Sequence, residues 1–277
     1  MPKTRRTFIT TLVSGFTLAA GPVSAAAIIT DTNGLEAGPV SIKVSDGSIP
    51  AYRARPKNHP HAPVILVVQE IFGVHEFIKD VCRRLAKQGY YAVAPALYAR
   101  YGDPAKYDAA HLEGLISDIV SKVPDSEVMG DLDATVEFAK GEGGDTAKLG
   151  ITGFCWGGRI VWLYAAHNPY LKAGVAFYGP LRGQTNALHP QSAIALAPTI
   201  KAPILGNYGG KDLGIPVVDI VEMRAALQAG GNSKSRIDVF ENSPHGFFAD
   251  YRPSYNEADA KPAWANALAW FAANGVK

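Results

Sequence analysis

A glycine-flanked cysteine, an aspartate and a histidine, each just beyond a short apolar run, are the groups in this 277-residue chain best suited to covalent chemistry. Gly153-Phe154-Cys155-Trp156-Gly157 sits between the apolar run Leu149 to Thr152 and a helical apolar pattern at Ile160, Val161, Leu163 and Tyr164. A strand that turns directly into a helix holds the residue at the turn in a strained conformation. Glycines two before and two after it give the backbone room to pack. Cys155 then stands at the carboxyl end of a sheet and at a helix N-terminus, where unpaired N–H groups favour an anionic sulfur. Taken alone, the same five residues also describe a buried structural cysteine.

The other strand ends favour chemistry. The run ending at Tyr208 leads into Gly209-Gly210-Lys211-Asp212, and the run ending at Phe240 leads to Ser243-Pro244-His245-Gly246. In an α/β sheet, ligands bind just beyond the carboxyl ends of the strands. Cys155, Asp212 and His245 therefore share one rim, in the order nucleophile, acid, histidine that a hydrolase built on such a sheet requires. His245 would take the thiol proton, and Asp212 would orient the imidazole and stabilise its charged form. The backbone N–H of Trp156 is one expected oxyanion donor. The second is expected from Ile71, in Gln69-Glu70-Ile71-Phe72-Gly73 after the first buried strand. Glu70 is thereby expected beside the thiol as a second carboxylate. Arg100, in Pro95-Ala-Leu-Tyr-Ala-Arg100, follows the next strand and suits two-pronged binding of a substrate carboxylate.

The elements that must position these residues read as an α/β fold, a doubly wound and mostly parallel sheet with an antiparallel N-terminal edge hairpin. The hairpin is expected at Val40–Ser45 and Ile49–Arg55, after a polar lead-in from Ala27 to Pro39. Buried strands follow at 63–69, 90–95, 149–152, 173–178, 203–208 and 236–240, with helices at 76–88, 105–123, 126–140, 217–229 and 260–274. The stretch Leu181 to Thr199 has no clear period and is expected as a surface loop rimming a pocket.

With 47% hydrophobic and 19% charged residues, the chain suits one globular domain, assigned to residues 26–277. Residues 1–25 read as an export signal: Thr4-Arg5-Arg6-Thr7-Phe8-Ile9 carries twin arginines, an uncharged apolar stretch follows, and Val23-x-Ala25 fits a signal-peptidase site. This implies the Tat machinery as a partner and a periplasmic or exported location, with cleavage near Ala25. The apolar stretch is too short for a comfortable membrane span. Losing Lys3, Arg5 and Arg6 takes the net charge from +2 to about −1, which offers no electrostatic footprint for nucleic acid. Cys82 lies in a helical pattern and reads as a core thiol rather than a disulfide partner of Cys155. No metal or cofactor is implied.

Together, Gln-Glu70-Ile-Phe-Gly, Pro-Ala-Leu-Tyr-Ala-Arg100, Gly-Phe-Cys155-Trp-Gly-Gly, Gly-Lys-Asp212 and Pro-His245-Gly-Phe resemble the dienelactone hydrolase (carboxymethylenebutenolidase) family. The resemblance runs from about Val40 to the C-terminus and implies the α/β-hydrolase fold with a Cys-His-Asp triad. It implies that Glu70 accepts the thiol proton as substrate binds, and that an enol-lactone is opened to maleylacetate. It also implies two arginines on the substrate carboxylate. Arg100 matches the first, and Arg252 stands nearest the place of the second. A broader carboxylesterase is the alternative within the enzyme class, and a redox-sensing thiol on an inactive scaffold the alternative outside it.

Overall fold

Pro63–Val68 buries every one of its six residues, which only a strand covered on both faces can do. It is β3 of an eight-stranded sheet in the order β1-β2-β4-β3-β5-β6-β7-β8, in a computed structural model that describes residues 27–107 and 109–277. The export-signal reading of residues 1–25 lies outside the described residues. Strands β1 (Leu35–Val44) and β2 (Gly47–Pro56) form the antiparallel edge hairpin, and β2 also runs antiparallel to β4 (Tyr91–Pro95). From β4 onward through β3, β5 (Asp145–Phe154), β6 (Ala173–Phe177), β7 (Ile204–Gly209) and β8 (Arg236–Phe240) the pairing is parallel. The expected α/β class and the edge hairpin are both present.

Helices α1 (Glu76–Lys87) and α7 (Glu257–Ala273) share one face. Phe77 of α1 and Trp264 of α7 both lie against Phe248, and Phe77 also packs on Phe154 of β5. The opposite face carries α3 (Asp125–Gly141), α4 (Trp156–His167) and α6 (Val217–Ala229). Short helices α2 (Leu112–Asp118) and α5 (Ala193–Leu196) fill connections. No helix among the described residues is long and apolar enough to cross a membrane.

Three sequence expectations need correction. Strand β1 starts at Leu35, inside the expected lead-in, and includes Pro39 opposite Tyr52. An edge strand tolerates a proline because one side needs no ladder N–H. The single helix expected over 105–123 is broken into 3₁₀ turns around α2. Leu112, Leu115, Ile119 and Val123 are all buried, so the helical spacing is met by short turns that fold over one another. Finally, residues 181–199 carry α5 and a 3₁₀ turn and lie over the starts of α3 and α4. Asp125 N–H donates to Leu188 O at 2.9 Å, and Arg159 to Gln191 O at 3.2 Å.

The chain winds outward from β3 in both directions, β4 on one side and β5 on the other. A sheet wound this way opens a crevice at its switch point. Here the crevice lies where the loop after β3 meets the turn from β5 into α4. That meeting is backbone against backbone. A Cβ on Gly157 would lie 2.5 Å from the carbonyl oxygens of both Val68 and Gln69, and one on Gly153 would lie 2.2 Å from Gly157 O. No side-chain adjustment relieves such contacts. Gly157→Ala is expected to cost about 3 kcal/mol or more. Gly130→Ala, in α3 with open space around it, is expected to stabilise by about 0.5–1 kcal/mol. Urea denaturation of the two variants checks both.

Candidate active site

Cys155 stands with φ 55° and ψ −119° between the last residue of β5 and the first of α4. A non-glycine residue held at positive φ is strained and persists only where the surroundings over-determine it. Its N–H donates to Phe177 O at 3.0 Å, and its carbonyl accepts from Gly158 N–H at 2.9 Å, so both sides of the peptide are held. The side chain is fully buried.

His245 reaches the thiol from the loop after β8, close enough for a hydrogen bond with Cys155. Its Nδ1 lies 2.7 Å from Asp212 Oδ2, and Asp212 Oδ1 accepts the Gly214 N–H at 2.8 Å. The sheet thus brings together the three residues expected from the strand ends. Burial on its own would push the His245 imidazolium to lose its proton more readily. The charges and hydrogen bonds of Asp212 and Cys155 outweigh burial and bring its pKa up to about 10. Raised above its unfolded value, the pairing contributes stability below about pH 6.5, lost as pH rises through about 10.

The two expected oxyanion donors are placed by local geometry. Trp156 is the first residue of α4, and an N–H there has no acceptor within its own helix. Gly73 N–H donates to Glu70 O at 3.2 Å, closing a turn whose first corner is Ile71 and leaving the Ile71 N–H outside that bond.

Glu70 is buried within this crevice. Its Oε1 accepts from Arg252 Nη2 at 2.9 Å, its Oε2 accepts from Tyr251 Oη at 2.6 Å, and His75 Nε2 lies 3.2 Å from Oε2. Burial would raise the Glu70 carboxyl, but Arg252, His75 and Tyr251 together outweigh it and hold its pKa down to about 2. The pair therefore contributes stability above about pH 4.5, lost as pH falls through about 2. Arg252 lies seven residues beyond His245 and folds back by successive turns: Ala249 N–H to Gly246 O and Arg252 N–H to Ala249 O, each 3.0 Å. Its guanidinium lies over the rings of Phe72 and Tyr251, and its Nη1 has no protein partner.

Arg100 does not join the crevice, which corrects the expectation that it binds a substrate carboxylate. Asp46 takes its Nε and Nη2 at 2.8 and 2.6 Å, and Asp131 takes Nη1 and Nη2 at 2.7 and 3.0 Å. Its guanidinium staples the hairpin turn to α3. Residues that the strand-end rule passed over do join. Tyr178 follows β6 at φ 38°, sets its ring edge-on to His245 with centroids 5.0 Å apart, and feels the charges of Glu70, Arg252 and Cys155. Tyr178 is the residue after a buried strand, so the rule used for Asp212 and His245 would have found it. Tyr251 and His75 carry no comparable signal, because only folding brings them to Glu70.

Removing one member of the buried Glu70–Arg252 pair strands the other. Arg252→Met and Glu70→Gln are each expected to lose about 3–5 kcal/mol in urea denaturation, and the double variant less than the sum of the two.

Comparison with known proteins identifies the family. Residues 49–275 match the profile of the dienelactone hydrolase family. A protein of Methylorubrum extorquens named "Putative carboxymethylenebutenolidase" is 56% identical over 275 residues, covering 98% of this chain and 94% of its own. A Bradyrhizobium protein named "Probable 2-oxo-3-(5-oxofuran-2-ylidene)propanoate lactonase" is 32% identical over 231 residues, covering 83% of this chain and 91% of its own. The crystal structure of a "Putative Dienelactone Hydrolase" from Klebsiella pneumoniae is 51% identical and superposes with a TM-score of 0.83, over 86% of this chain and 98% of that one. The α/β-hydrolase sheet and these matches make the chain a member of the dienelactone hydrolase family, a hydrolase acting on ester bonds.

Proposed function

We propose that the chain hydrolyses its ester or lactone through Cys155, and the observation that carries this is the Cys155–His245–Asp212 chain at a strained strand-to-helix turn. The substrate carbonyl lies against Cys155 with its oxygen toward the N–H groups of Trp156 and Ile71, where negative charge develops as sulfur attacks. His245 gives its proton to the leaving oxygen and then activates the water that hydrolyses the acyl-thioester.

Glu70 has a defined part in this reading. It is held anionic by Arg252, against a burial cost that favours its neutral form. A substrate carboxylate that takes over Arg252 removes that support, and Glu70 becomes basic enough to receive the Cys155 proton. A small carboxylated lactone such as dienelactone, opened to maleylacetate, fits this trigger and the family membership. A broader carboxylesterase is the second reading. It is favoured by Arg100, whose guanidinium is committed to Asp46 and Asp131 and leaves Arg252 alone to select a carboxylate.

On 4-nitrophenyl acetate, Cys155→Ala is expected to lower kcat/KM by about 10³-fold or more. Intact-mass analysis of wild type is expected to trap an added acetyl group. Wild-type rates in the alanine variant would rule out Cys155 as the nucleophile.

We also propose that the protein is exported by the Tat route, on the strength of Arg5-Arg6, the uncharged stretch after them and Val23-x-Ala25. Replacing Arg5 and Arg6 together by lysine is expected to retain the uncut precursor in the cytoplasm, as seen by cell fractionation and blotting. Normal export and processing of that variant would argue against the route.

A further inference from the structure

The loop after β3 and the segment after β4 bury two polar side chains side by side, Gln69 and Tyr98, without a well-aligned hydrogen bond to either. Gln69 is fully buried, and both its Oε1 and its Nε2 lack a hydrogen-bond partner. Tyr98 is 1% exposed, and its hydroxyl lies beside the Gln69 amide without a well-aligned bond, so at most one of the two amide atoms can be met by it. Buried polar groups are nearly always satisfied, so two together on one wall need an explanation. Both line a cavity of about 840 Å3 beside the crevice, with Tyr52, Phe72, Val74 and Pro104 among its other walls.

This cavity adjoins the chemistry. The Tyr98 ring packs on Trp156 with centroids 4.9 Å apart, and the Tyr98 hydroxyl feels the charge of Cys155. Phe72, on the opposite side, lies under the Arg252 guanidinium. The volume is that of a drug-sized ligand, larger than a small lactone needs. Its walls are aromatic rings and prolines, which suit a flat apolar group. Lys79 and Asp103 also line it, but neither is buried, so water meets their needs.

We infer that Gln69 and Tyr98 form a hydrogen-bonding subsite that selects substrates carrying a hydroxylated aromatic ring. A hydroxyl both donates and accepts, and so can satisfy the amide oxygen as well as the amide N–H or the tyrosine. A bare carbonyl only accepts and would leave the Gln69 oxygen without a donor. A site whose buried polar groups await a partner rejects the analogue that lacks it, because those groups then stay unsatisfied. This deepens the proposed hydrolysis by naming a substrate class, and it rests on that reading for turnover but not for binding.

The test is calorimetric binding of 4-ethylphenol and 4-ethyltoluene to the full chain, repeated for Gln69→Leu and Tyr98→Phe. Both substitutions remove the polar atoms while keeping most of the side-chain volume, and thermal melts check folding. Wild type is expected to prefer the phenol by about tenfold, with each variant bringing the ratio toward one. A wild-type ratio near one, or a preference unchanged in both variants, overturns the subsite. Rates on 4-hydroxyphenyl acetate and 4-methylphenyl acetate, whose leaving groups are of closely similar acidity, complete the test. The wild-type preference is expected to appear there in kcat/KM and to shrink in both variants. If phenol binds selectively but neither ester is hydrolysed, the proposed reaction fails while the subsite stands.

Discussion

The close approach of two backbones at Gly157 sets the geometry of the crevice at the centre of this fold. Its α-carbon lies beneath the carbonyls of Val68 and Gln69, while Gly153 and Gly158 permit equally tight contacts below and beside it. Helix α4 can then begin directly after β5, which forces Cys155 to positive φ. The same contact joins the turn at Cys155 to the loop carrying Glu70 and Ile71, because Gln69 is both the residue touched and the first residue of that loop. Cys155, the N–H groups of Trp156 and Ile71, and the buried Glu70 are therefore spaced by main-chain packing, which has no rotamers to lose.

Charge is handled in two contrasting ways around that crevice. Glu70 and Arg252 are wholly removed from water, and their attraction is strong because little solvent screens it. The carboxylate is satisfied by three side chains, whereas the guanidinium keeps one nitrogen unmatched. Arg100 is the opposite case, half-buried between an exposed carboxylate, Asp46, and a buried one, Asp131. Its role is to tie the edge hairpin to α3.

Much of this was legible in the sequence because strand ends in a parallel sheet converge on one rim. Knowing where the apolar runs stop was enough to bring Cys155, Asp212 and His245 together. Direction of a side chain is a different matter. Arg100 stands at a strand end, but Asp46 and Asp131, distant in sequence, decide where it points. Arg252 is reached only through the turns after His245, and nothing in residue spacing marks Tyr251 or His75 as partners of Glu70. The broken segment between 104 and 122 illustrates the same limit. Its apolar spacing is helical, but packing around Gly102, whose φ is 147°, and Tyr107 against Gly114 replaces one helix by several turns.

Both cysteine thiols of the chain are shut away from solvent. Cys82 lies in the core of α1, where burial pushes its thiol well above the usual range, so it is a poor nucleophile for disulfide exchange. Cys155 has no accessible surface either. An aqueous oxidant or alkylating reagent therefore meets neither sulfur on the resting surface and must travel the route a substrate takes. Enclosure of Cys155 thus works as a chemical shelter, lending an oxidation-prone thiol a durability that an exposed counterpart would lack.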